Sequence, residues 1–137
     1  DESHPAFGQF GLFAAVELAE GQRVIDYVGQ VCRGEDEDRS SDYVAEFGEA
    51  GELALDANHV GNEARFVNDF RNTGRRANVE FRLRRSRTGE LRQGVYVCSK
   101  RGIAAGHELL ISYGKSYWKS RVGDLHSFIY RTPNKDA

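Results

Sequence analysis

Residues 65–81 read Arg-Phe-Val-Asn-Asp-Phe-Arg-Asn-Thr-Gly-Arg-Arg-Ala-Asn-Val-Glu-Phe, and the fold turns on how this stretch is read. Phe66-Val67 runs straight into Asn68-Asp69, residues 70–77 form a turn-rich insert, and Asn78 opens a strand pattern. In that pattern Val79, Phe81 and Leu83 alternate with Glu80, Arg82 and Arg84. Asparagine carries two donors and an acceptor on a short side chain and tolerates unusual backbone angles. One at the end of an apolar segment can therefore fix a tight turn or face a polar ligand. Taken alone, Asn68 and Asn78 are turn caps or ligand contacts.

Just upstream, Gly61-Asn62-Glu63-Ala64 predicts one helical turn that delivers residues 65–68, because Asn is a good N-cap and Glu suits a first turn. Residues 52–55 read as a brief strand closed by Asp56. Ser41 with Tyr43, Val44 and Phe47 ahead of Gly48 predicts a short capped helix. Nearer the start, Gly8 and Gly11 precede a strand, which lets backbone approach a ligand or another strand. Leu18-Ala19-Glu20-Gly21 is a turn, and residues 23–31 alternate around Val24, Ile25, Tyr27, Val28 and Val31 as a strand ending near Gly29.

Downstream, residues 78–84, 94–99 and 108–113 carry strand alternation, separated by Thr88-Gly89 and by Ile103-Ala104-Ala105-Gly106. That second turn resembles the one at residues 18–21. Residues 115–130 are partly helical or irregular. The sum is a mostly β domain of many short strands with one or two short helices, which argues against a doubly wound nucleotide-binding sheet.

A chain of 137 residues fits one domain with a working core, and 39% hydrophobic residues with 15 glycines is ordinary for a globular protein. The net charge is −2, from 19 basic and 21 acidic residues, so the whole-chain field does not announce a nucleic-acid binder. Charge is uneven, however. Glu35-Asp36-Glu37-Asp38 is acidic, whereas Arg75, Arg76, Arg82, Arg84, Arg85, Arg87 and Arg92 make the middle third basic; solvated faces are the simpler reading of both. Two cysteines, Cys32 and Cys98, make no disulfide framework and point to a reducing, intracellular setting. The four histidines show no ligand spacing, so no metal is expected. No apolar run approaches the roughly 20 residues of a membrane span, and no signal-peptide pattern is present.

Taken together, Gly8-Gln9-Phe10-Gly11, Tyr27-Val28-Gly29, residues 65–78 and Glu108-Leu109-Leu110-Ile111-Ser112-Tyr113-Gly114 resemble, in order and spacing, the SET-domain protein lysine methyltransferases. The resemblance covers residues 7–118, leaving 1–6 as a lead-in and 119–137 as a C-terminal tail. It implies several small β-sheets with a knot-like C-terminal crossing, and S-adenosylmethionine as cofactor. Gln9-Phe10-Gly11 matches the family's Gly-x-Gly, with Gln9 or Gly8 at the first glycine position. Arg65-Phe66-Val67-Asn68-Asp69 matches Arg-Phe-Ile-Asn-His, so that Arg65, Phe66, Asn68 and Asp69 join Gln9, Phe10 and Gly11 at the cofactor. Asn68 is expected at its methionine end, and Asp69 at the adenine through its backbone. The link to the second asparagine is four residues longer than the family's Ser-Cys-x-Pro.

Glu108-Leu109 and Tyr113 match Glu-Leu-x-x-x-Tyr, which makes Tyr113 the leading catalytic candidate and a cofactor contact. Tyr27 ranks second; a core aromatic is the alternative for it. Methyl transfer from a sulfonium to an amine needs in-line approach, a neutral amine and exclusion of water, not a covalent intermediate. A phenol and backbone carbonyls can orient both partners without adding a competing nucleophile. The substrate channel is expected among Tyr27, Phe81, Tyr117 and Trp118, closed by the tail in place of the family's Cys-rich zinc segment. Phe81 or the neighbourhood of Cys98 is expected to tune the number of methyls added.

The partner implied is a protein with a basic tail, a histone first, in the nucleus. The acidic residues 35–38 with Glu46, Glu49 and Glu52 could attract it. Two alternatives stand beside this one: a non-catalytic peptide-binding module of the same fold, and an arginine face contacting nucleosomal DNA.

Overall fold

The computed structural model describes residues 8–36, 40–41, 43–48 and 52–113. Within them the chain forms β1 (Arg23–Asp26), β2 (Gln30–Arg33), β3 (Val44–Phe47), β4 (Leu53–Asp56), β5 (Asn68–Asp69), β6 (Val79–Arg85), β7 (Leu91–Val97) and β8 (Leu110–Ile111). A five-stranded sheet runs β1-β7-β6-β8-β5 and a three-stranded sheet runs β2-β4-β3. The fold is mostly β, built from small sheets, and its helical content among the described residues is two single 3-10 turns, Gly34–Asp36 and Glu63–Phe66.

The long hairpin β6-β7 pairs from Val79↔Val97 to Arg85↔Leu91, so Val79 and Phe81 share a face with Val97 and Val95. That face buries Val79, Val95 and Val97 against Val67, Ile103, Leu109 and Ile111. The similar turns at 18–21 and 103–106 meet one another: Leu18 N donates to Ile103 O (2.9 Å) and Ile103 N to Leu18 O (2.8 Å).

Two expectations need correction. The helix expected from Ser41 is strand β3, paired antiparallel with β4 from Val44↔Asp56 to Phe47↔Leu53. Val44, Ala45 and Phe47 are buried there, and a sheet partner outweighs a weak capping signal. Ser41 Oγ instead donates to Asp56 Oδ1 (2.7 Å) and accepts from Tyr43 N (3.2 Å), fixing the strand's entry. The strand expected to end near Gly29 stops earlier, at Asp26, and a second begins at Gln30, because β1 pairs with β7 while β2 pairs with β4 in the other sheet. The chain changes sheets at Gly29, where a Cβ would lie 2.8 Å from the Asp56 carbonyl.

β5 and β6 follow one another in the chain, yet β8 lies between them and runs parallel to both. The insert 70–77 arches over this crossing, turning through Asn72 (φ 65°) and Gly74 (φ 75°). Such threading is rare and gives the knot-like crossing. Asn78 secures it with side chain and backbone alike. Its N donates to Leu110 O (2.9 Å), its Oδ1 accepts from Leu110 N (2.8 Å), and its Nδ2 donates to Glu108 O (3.0 Å).

Replacing Asn78→Ala strands the Leu110 amide and the Glu108 carbonyl and is expected to cost about 2–4 kcal/mol in urea unfolding. Gly29→Ala drives a methyl into the β4 backbone and is expected to lower stability by about 1–3 kcal/mol, read the same way.

Candidate active site

The site is built on the segment that leads into β5. Asn62 caps the turn Glu63–Phe66 by accepting from Ala64 N (3.2 Å), and its Nδ2 donates to Asp26 O (2.8 Å), which ties the turn to β1. The turn closes on Val67 N donating to Ala64 O (3.2 Å) and delivers Val67, Asn68 and Asp69 into the interior. Arg65 Nη1 donates to Ala57 O (3.1 Å) and to Asn58 O (3.4 Å). Its guanidinium sits over the Tyr43 and Phe66 rings, at 5.4 and 4.8 Å, so Arg65 braces the loop before the turn.

Successive strand residues point to opposite sides, and β5 divides the site accordingly. On one side lies Asn68. Its Nδ2 donates to Glu108 Oε2 (2.8 Å) and to Phe10 O (3.3 Å), while its Oδ1 is buried with no hydrogen-bond partner among the described residues. Glu108 is itself buried, and a Cβ on Gly11 would lie 2.7 Å from Glu108 Oε2. Only glycine permits this approach. Phe10 is 75% exposed, with its ring tilted on Phe66 at 5.3 Å. Gln9 is exposed, and the left-handed residue is Gly8 (φ 88°), so the first glycine of this stretch is offset by one position from the family pattern.

The other side carries Asp69 and Tyr113. Asp69 Oδ1 accepts from Arg71 N (2.8 Å), and Oδ2 accepts from Arg71 Nη1 (2.7 Å) and from Tyr113 N (3.0 Å). The Tyr113 hydroxyl donates to Val67 O (3.2 Å). Next to it a cavity of about 160 Å³ is lined by Tyr27, Phe81, Val67, Glu46, Gln93 and Tyr113, among others. Tyr27 is buried, its hydroxyl donates to Tyr43 O (2.8 Å), and its ring meets Phe81 edge-on at 5.6 Å.

The residues expected at one site thus fall into two adjoining groups. Phe10, Gly11 and Asn68 gather on one side of β5, and Tyr27, Phe81 and Tyr113 share the cavity on the other. Tyr117 and Trp118 lie outside the described residues. Cys98 does not line the cavity; burial, with Glu80 adding to it, pushes its thiol above the usual range. Among the described residues no group of three His, Cys, Asp or Glu side chains is placed to hold a metal, and no helix is long and apolar enough to cross a membrane.

Three arginines of the expected basic face meet carboxylates: Arg84 meets Asp26 of β1 (2.6 Å), Arg82 meets Glu80 (2.7 Å), and Arg92 meets Glu90, which neutralises part of that face. Of the acidic residues, Glu46 lies on the cavity, whereas Glu35 and Asp36 sit on the separate turn Gly34–Asp36. Sequence reasoning missed the roles of Glu108 and of the Val67 carbonyl. A glutamate in an apolar strand run signals a buried carboxylate that needs a donor, but nothing local says that the donor is Asn68.

Solved structures share the fold. The chain resembles an active polycomb repressive complex 2 in the basal state, with 28% identity, a TM-score of 0.63, and 77% of this chain and 13% of that chain covered. It resembles the Chaetomium thermophilum polycomb repressive complex 2 at 26% identity and TM-score 0.61, covering 77% of this chain and 14% of that one. KRYPTONITE, solved with mCHH DNA, an H3(1-15) peptide and SAH, matches at 24% identity and TM-score 0.58 over 74% of this chain and 20% of that chain, a likeness of fold. This chain therefore spans at most a fifth of the length of these proteins. A search of curated protein sequences gave no match. Residues 9–114 match the SET domain family over most of the chain. The chain belongs to that family, whose members are S-adenosylmethionine-dependent protein lysine methyltransferases.

Proposed function

We propose that this chain transfers a methyl group from S-adenosylmethionine to a lysine side chain of a basic protein tail, a histone tail first. The observation that carries this reading is the pair of compartments flanking β5, which adjoin where Val67 O meets the Tyr113 hydroxyl. One offers polar groups and a glycine approach, the other an aromatic-lined cavity.

The residues present fit the cofactor. Asn68 Oδ1 is a buried acceptor with no partner among the described residues, suited to the ammonium of a methionine group. Gly11 keeps the backbone close to Glu108, and the exposed Phe10 ring gives a face for an aromatic base. Asn68, Phe10 and Gly11 would hold it, with Gln9, Arg65 and Phe66 shaping the surroundings. When bound, the cofactor supplies a sulfonium methyl that an amine accepts while the bonding pair stays on sulfur.

The chain's own groups do the orienting. Tyr27, Phe81 and Tyr113 receive the lysine's apolar stem, and their ring faces favour its cationic end until that end gives its proton to solvent water. The Tyr113 hydroxyl donates to Val67 O, which fixes the phenol at the cavity wall beside the lysine's end. The rings of Tyr27, Phe81 and Tyr113 with Val44 and Val67 give the stem apolar contact, and near-attack alignment accounts for the rate. Glu46 at the cavity gives a basic tail a carboxylate to approach. A histone substrate carries with it a nuclear, chromatin location. The carboxylates on Arg82 and Arg84 make DNA the weaker partner.

Incubation with labelled cofactor and histones tests this directly. Tyr113→Phe is expected to lower kcat by about a hundredfold while leaving cofactor affinity within a few-fold, and undiminished transfer would refute the role given to the phenol. Asn68→Ala is expected to weaken cofactor binding by about tenfold or more in calorimetry. Its melting temperature, measured alongside, separates that loss from the cost of removing the Asn68 bond to Glu108.

A further inference from the structure

We infer that Asp69 and Arg71 act as one positioning device for Tyr113; its catalytic consequence rests on the proposed transfer, its geometry does not. The ladder between β5 and β8 ends at Asp69↔Ile111, so Tyr113 lies beyond the last paired residue. Its amide is nevertheless held, by the Asp69 carboxylate at 3.0 Å. The side chain extends the ladder where the backbone no longer does. With the phenol on Val67 O, both ends of Tyr113 are tied to the residues flanking Asn68.

A carboxylate that is 2% exposed is costly unless every lone-pair direction is used. Here Arg71 supplies the compensation twice, through its amide to Oδ1 (2.8 Å) and its guanidinium to Oδ2 (2.7 Å). The guanidinium is itself fixed, 5.0 Å over the Phe70 ring and 3.4 Å from Ser112 Oγ. Arg71 belongs to the insert 70–77, and Asp69 stands where the family pattern has His. The two departures compensate one another: the insert brings in the cation that lets a carboxylate sit beneath the tyrosine.

Four variants test this: Asp69→Ala, Asp69→Asn, Arg71→Gln, and the double change Asp69→Asn with Arg71→Gln. Each is measured for kcat and KM on histones, for cofactor affinity by calorimetry, and for hydrogen exchange of the Tyr113 amide by NMR. Asp69→Ala is expected to lower kcat by at least about tenfold, leave cofactor affinity within about threefold, and speed exchange of the Tyr113 amide by about tenfold or more. Each single conservative variant mismatches the pair, by an amide facing a guanidinium or by a buried carboxylate without its cation. The double variant keeps an oxygen for the Tyr113 amide and is expected to recover kcat above either single change. Unchanged kcat and exchange in Asp69→Ala, a loss of cofactor affinity equal to the loss of kcat, or a double variant no better than the singles would overturn the inference. Should the native chain transfer no methyl, the exchange rates of the same variants still decide whether Asp69 and Arg71 hold Tyr113.

Discussion

The insertion of β8 between β5 and β6 is the constraint on which the rest depends. A strand placed between two others that are consecutive in the chain must satisfy hydrogen-bonding groups on both its edges, and here it is only two residues long. Asn78 makes up the shortfall, since its carboxamide presents the same donor and acceptor as a peptide group and uses both on residues 108 and 110. Glu108 and Tyr113, at either end of β8, are positioned by that crossing. They bring the second half of the chain to the Asn68 side and to the cavity side.

The second organising feature is the alternation through Val67, Asn68 and Asp69. Three consecutive residues send a carbonyl, an amide and a carboxylate to distinct partners: the Tyr113 phenol, Glu108 and the Tyr113 amide. A strand of two residues therefore does the work of a partition between two chemical environments. Because all three are almost fully buried, none can be adjusted without moving a neighbour, which is how a loop-rich domain keeps a rigid centre.

Much of this was legible in the sequence. Asn62 followed by Glu63 announced the turn into the site, and the alternation of Val79, Phe81 and Leu83 announced the hairpin, because both signals are local. Gly29 marked a strand end, but that β1 already stops at Asp26 and that β2 begins at Gln30 was hidden, because alternation runs through and only the different sheet partners reveal it. β3 was misread because Ser41 ahead of an apolar run looks like a cap until Asp56, a distant residue, claims its hydroxyl. At the site, motif order indicated Asn68, Tyr27 and Tyr113 as candidates. It could not indicate that Asp69 reaches Tyr113, since that bond joins residues far apart in sequence and depends on Arg71 lying in an insert of unusual length.

The threading of β8 also sets an order of events during synthesis. A ribosome delivers β5 and β6 well before residues 108–113, and until those emerge Asn68 lacks Glu108 and the gap between the two earlier strands stays open. Nascent or prematurely terminated chains ending before that point hold neither compartment. Maturation of the site is thereby coupled to completion of the crossing.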